Sequence, residues 1–77
     1  MRAINLKATG ERIRAKRKAL GLTMQDVIDR LYLGSAMSVW KWETGKNLPT
    51  LDNLVNLAEV FGCEPMDLIV VMEVPNG

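Results

Sequence analysis

The chain has 77 residues, enough for one domain with a small core, and 48% of them are hydrophobic, too many for a disordered segment. A single cysteine excludes an internal disulfide; the chain has no histidine, the commonest general base and zinc ligand, and a lone Cys63 cannot make a structural metal site. Net charge is +1 but polarised: all ten Lys and Arg lie in residues 1–48, which carry +6, and residues 49–77 carry −5.

Residues 1–8 show no period and are expected as an extended arm, without the long apolar centre of a secretory signal. The longest apolar run, residues 68–72, is far short of a membrane span, so a cytoplasmic location is expected. A first helix is predicted from Thr9 or Gly10 to Leu20, stopped by Gly21, with Ile13, Leu20, Ala15 and Ala19 as its apolar positions. Lys16 and Arg17 follow Ile13 at i+3 and i+4, so at least one lies near the core. Arg14 and Lys16 are read as solvated. From charge alone, this basic helix serves solubility as readily as phosphate binding.

Thr23 with Asp26 three residues on resembles a capping box opening a second helix over residues 24–32, with Val27, Ile28 and Leu31 inward. Tyr32, Leu33 and Gly34 make a turn. A third helix is predicted over residues 35–43, with Ser35 at its N-cap and Gly45 beyond its end. Setting Val39 and Trp42 inward turns Ala36, Met37, Trp40 and Lys41 outward. Two short helices joined this way suggest a helix-turn-helix, whose second helix enters a DNA major groove. Of the outward residues, only Lys41 can make a charged contact to a guanine edge or a phosphate, whereas Met37 suits a thymine methyl. Specificity from this set would lean on DNA shape and backbone. Trp40 has two evenly weighted readings: contact with DNA or a protein partner, or packing on Tyr32 or Leu33.

Residues 46–50 read as a loop, and Thr50 caps a fourth helix carrying Leu51, Leu54, Val55, Leu57, Ala58 and Phe61, ended by Gly62. Cys63 reads as a buried inert thiol. Pro65 opens a last helix to about Val71, and residues 72–77 are expected as a frayed tail. Residues 68–74 are more apolar than a small monomer covers, which leans toward a dimer surface. The expected class is all-α: five short helices forming a single domain over residues 1–77.

Gly-Glu-Arg-Ile-Arg-Ala-Lys-Arg-Lys (10–18), Gly-Leu-Thr (21–23), Trp-Glu-Thr-Gly (42–45), Leu-Pro-Thr-Leu-Asp-Asn-Leu (48–54) and Ala-Glu-Val-Phe-Gly-Cys-Glu-Pro-Met-Asp-Leu (58–68) resemble the lambda-repressor-like, Xre-type helix-turn-helix family. The resemblance spans about residues 10–70. With Trp40-Lys41-Trp42, it is nearest the longer-turn subgroup common in Gram-positive bacteria. It implies a compact five-helix, non-enzymatic bacterial or phage regulator that binds double-stranded DNA, usually as a homodimer, with no cofactor, metal or small-molecule effector domain. Matched by position, base reading falls on Ala36, Met37 and Lys41, backbone proximity on Ser35 and Ser38, and a loop phosphate contact on Lys46. Met24 stands where the family has a phosphate-binding Gln, with Gln25 next to it on another face. The resemblance further implies a partly buried ion pair between Arg17 and Glu43, with Arg17 able to share a phosphate. The chain departs from the family in having Ile28 at a usually small position, a turn one residue longer, and Lys16 for a buried Leu. The alternative is a protein-interaction module on the same fold, an antitoxin or a subunit of a phage control complex, using Trp40, Met37 and the apolar tail. An enzyme is disfavoured by the lack of a histidine and of a Gly-rich phosphate loop.

Overall fold

A computed structural model describes residues 1–75. Four α-helices, α1 (Leu6–Ala19), α2 (Met24–Leu31), α3 (Ser38–Glu43) and α4 (Leu51–Phe61), are followed by a 3₁₀ turn (Pro65–Leu68). Two short strands, β1 (Arg2–Ile4) and β2 (Val71–Glu73), pair at the ends of the chain. Among the described residues no helix is long and apolar enough to cross a membrane. The all-α class stands. The expected fifth helix is reduced to the 3₁₀ turn, and a two-stranded sheet is added.

The arm is extended only over β1, where it is paired with β2, and residues 6–8 already belong to α1. The side-chain oxygen of Asn5 accepts the Ala8 N–H at 3.0 Å, so α1 starts a full turn earlier than Thr9. Of its apolar residues only Ile13 is buried; Leu20 is 52% exposed, and Ala15 and Ala19 face out. Burying one Ile contributes roughly 1.5–3 kcal/mol, too little to fix a long helix. Three polar or backbone features of α1 supply the rest: buried Thr9, Gly10 and Arg17.

Thr9 joins α1 to the tail. Its hydroxyl accepts the Val70 N–H at 3.0 Å, and the Asn5 N–H donates to the Val70 carbonyl at 2.7 Å. These bonds lie in the segment leading into β2, where the β-branched Ile69, Val70 and Val71 favour extended backbone over another helical turn. β2 runs antiparallel to β1, with Ile4 opposite Val71 and Arg2 opposite Glu73. The tail expected to fray is therefore paired through Glu73, while residues 76–77 lie outside the described residues.

Among the described residues every buried apolar side chain belongs to one cluster: Ile13, Val27, Ile28, Val39, Trp42, Leu54, Leu57, Ala58, Phe61 and Leu68. Leu51 and Val55, grouped with the inward stripe of α4 by their spacing, stand on its edge and are 81% and 54% exposed. The cluster accommodates Ile28 where a smaller residue is usual. Cys63 is only partly buried against it.

Helix ends are closed as their residues dictate. The Thr23 hydroxyl accepts the Asp26 N–H at 3.0 Å, and the Asp26 carboxylate accepts the Thr23 N–H at 2.8 Å. The backbone bond to Thr23 holds the Asp26 carboxyl below its usual range. At the other end of α2, the left-handed residue is Tyr32 at φ 53°, not Gly34. Its N–H reaches the Asp29 carbonyl and that of Leu33 reaches the Ile28 carbonyl, the Schellman pattern that glycine normally completes. Tyr32 is 93% exposed, so no packing offsets its strained backbone. Tyr32→Gly should raise stability by about 0.5–1 kcal/mol, since relief of left-handed strain outweighs the entropy glycine adds to the unfolded chain. A thermal melt shifted upward is the expected result; a downward shift would mean that Tyr32 makes a stabilising contact.

Candidate nucleic-acid interface

α3 is shorter than its pattern predicts. Residues 36–37 form a turn, and the helix proper begins at Ser38, with Met37 as its uncapped N-terminal flank. Ser35 does not cap the helix; its hydroxyl accepts the Met37 N–H at 3.2 Å and its carbonyl the Ser38 N–H at 3.3 Å. These local bonds tighten the entry turn, and six helical residues remain. At the far end Gly45, at φ 75°, donates to the Trp42 carbonyl, and Lys46 donates to the Lys41 carbonyl at 2.9 Å.

Val39 and Trp42 are buried, 0% and 5% exposed, and hold α3 on the core. Ser35, Ala36, Met37, Trp40, Lys41 and Lys46 are exposed and lie along this short helix and its flanking turns. Ser38 is half-buried. Trp40, 39% exposed, gains no aromatic cover from the almost fully exposed Tyr32. Met24 stands apart: its side chain packs partly on the hydrophobic cluster, and a thioether in that position offers a phosphate nothing. Gln25 is exposed and donates to Asp29 on its own helix at 2.8 Å.

What fixes the angle of α3 is a buried ionic clamp. Arg17 Nε donates to one Glu43 carboxylate oxygen at 2.6 Å and Nη2 to the other at 2.9 Å. A third bond runs from Nη1 to the Leu22 carbonyl at 2.9 Å. Arg17 and Glu43 are only 7% and 6% exposed. The hydrogen bond to Glu43 raises the already high pKa of Arg17, so the guanidinium stays charged. One side chain thus ties α1, the turn before α2 and the end of α3. Turned inward with three bonds made, the guanidinium is not placed to share a phosphate.

Gly10 completes the clamp, and sequence reasoning missed it. A Cβ at this position would press into the Trp42 carbonyl oxygen and lie 2.7 Å from that of Glu43. At the expected start of a helix this glycine raised no question; with α1 beginning at Leu6 it lies inside the helix, where glycine costs roughly 0.5–1 kcal/mol relative to Ala and needs a reason. Gly45 also approaches α1, though less tightly: a Cβ there would sit 3.0 Å from the Lys7 Cα.

Short α2 and α3 joined through a Tyr32 turn, with α3 clamped edge-on to α1 and its outer side bare, define a helix-turn-helix domain of the lambda-repressor-like fold. Residues 13–68 match the family described as Helix-turn-helix, and the chain belongs to that family, in its Xre-like branch. Over 56 residues it is 43% identical to the HTH-type transcriptional regulator DicA of Escherichia coli (strain K12), a match that covers 73% of this chain. The match takes in 41% of DicA, so the chain spans about two fifths of that relative's length. Among solved structures it is similar to the restriction-modification controller protein C.AhdI from Aeromonas hydrophila, at 30% identity and TM-score 0.74, covering 82% of this chain and 94% of that one. It is also similar to the P22 c2 repressor in complex with a synthetic operator, at 32% identity and TM-score 0.73, covering 78% and 89% of the two chains.

Proposed function

We propose that this domain is a non-enzymatic, sequence-specific regulator of transcription that binds double-stranded DNA, laying the outer side of α3 in the major groove. The observation that carries the reading is the division of α3 and its entry turn: Val39, Trp42 and Glu43 are buried, and Met37, Trp40 and Lys41 are left in solvent beside a helix that Arg17 ties to α1. A recognition helix needs this combination of a fixed angle and an uncovered face. The polarised charge and the likeness to a repressor solved with its operator support the same reading.

Lys41 carries the base reading, with Met37 and Ala36 supplying apolar contact, Ser35 and Ser38 lying near the backbone, and Lys46 meeting a phosphate. Lys41→Ala should reduce the preference for the selected site over random DNA by about 1–3 kcal/mol, the worth of one good base contact. Equal loss on specific and random duplexes in a competition assay would remove Lys41 from base recognition. Assembly as a homodimer belongs to the same proposal. β2 pairs on one side only and exposes Val71 and Met72, and an unpartnered edge is what the same strand of a second copy can complete. Selection from random DNA should then yield palindromes, and unrepeated half-sites would remove the dimer.

A protein-interaction role on the same fold draws support from a different observation, the exposed apolar side chains Met37, Trp40, Leu51 and Val55. It predicts no mobility shift on any duplex at low salt.

A further inference from the structure

We infer that Lys7 joins Lys41 and Lys46 in a cluster of three ammonium groups that grips a backbone phosphate beside the recognition helix. The inference rests on the DNA-binding reading and extends it to a residue that no motif identifies.

Lys7 is 34 positions from Lys41 in sequence, yet the fold brings its backbone against Gly45, four residues beyond Lys41. The close approach of Gly45 to the Lys7 backbone sets the first turn of α1 against the turn that ends α3. Lys46 follows Gly45 directly, and its N–H is bonded to the Lys41 carbonyl. All three lysines are exposed. Among the described residues none of them lies within ion-pair distance of a carboxylate; the ion pairs are Arg17–Glu43 and the chain terminus with Glu73. Glu11, one turn along from Lys7, also makes no such pair.

The placement of Lys7 on α1 points the same way. Around this helix Thr9 and Arg12 face the tail, through Val70 and Asp67, and Ile13 faces the core. Gly10 and Arg17 face α3. At 100° per residue, Lys7 falls on the flank just beyond Gly10, on the open side of the α1–α3 contact. The dipole of α3 offsets part of the cost of cations near its C-terminus, whereas Lys7, in the first turn of α1, gains nothing from its own helix. That local benefit does not require three unpaired charges. A phosphate does use them, and lysine binds one as a flexible point charge.

The test is the salt dependence of binding to a selected duplex, measured by fluorescence anisotropy for the parent, Lys7→Ala, Lys7→Arg and Arg12→Ala. Loss of one phosphate contact lowers the slope of log K against log salt by about 0.9, so a fourfold rise in salt costs Lys7→Ala about 3.5-fold less affinity than it costs the parent. Lys7→Arg should restore the slope, and the ratio of specific to random binding should stay at the parental value. Arg12→Ala removes the same charge from the opposite flank and should leave the slope unchanged. A parental slope in Lys7→Ala, with only a lowered melting temperature, would overturn the inference by reducing Lys7 to a dipole partner. An equal fall in the Arg12 variant would overturn it by making the effect one of net charge. If the parent itself binds no duplex, the DNA-binding reading falls instead.

Discussion

Glu43→Ala should lower the free energy of unfolding by about 3–5 kcal/mol, the cost of leaving a buried charge without its partner. The magnitude follows from burial. An exposed Arg–Glu pair is worth at most about 1 kcal/mol, but Arg17 and Glu43 are both under a tenth exposed and their bonds are bidentate. A small domain has about 5–15 kcal/mol in total, so this one change removes a large share. The double variant Arg17→Met with Glu43→Leu should be far less damaged, because an apolar pair of similar size removes both desolvation costs. Urea unfolding of the three proteins separates the cases. A loss below about 1 kcal/mol for Glu43→Ala would place the pair with ordinary surface pairs.

Gly10→Ala opposes two effects. Replacing glycine in the interior of a helix ordinarily adds about 0.5–1 kcal/mol of stability. Here the new methyl group would collide with the carbonyl oxygens of Trp42 and Glu43, which belong to the backbone of α3 and cannot rotate away. Overpacking of this kind costs about 1–3 kcal/mol even against movable side chains. The collision should win by about 2 kcal/mol, and relief requires α3 to shift on α1. The variant should therefore melt lower and also bind DNA more weakly than its remaining folded fraction accounts for. A Gly10→Ala protein that melts higher than the parent would mean that the two helices do not approach as closely as described.

The parts of this molecule that were legible in its sequence are those governed by local rules. Thr23 and Asp26 sit three apart and bond reciprocally; Thr50 caps α4; Gly21, Gly45 and Gly62 end helices in the left-handed conformation. Val39 and Trp42, spaced by three, are buried together. The misread parts are those settled by long-range contacts. Nothing within residues 1–8 or 72–75 announces that they pair with each other, and two short strands have no period to detect. Tyr32 takes the left-handed role beside an available glycine because the bonds ending α2 fall at its position. For the interface, the spacing of α3 was enough to separate its two sides. The proximity of Lys7 to Gly45 was not readable, since it depends on the angle at which α1 crosses α3.

The most direct test of the major-groove assignment is methylation protection at guanine N7, an atom that faces only that groove, across a duplex selected by the protein. The expected pattern is protected guanines in two half-sites about 10 base pairs apart, losing protection when Lys41 is replaced by Ala. Bound DNA whose guanine N7 atoms all react as in free duplex would contradict the assignment and leave α3 without a place in the groove.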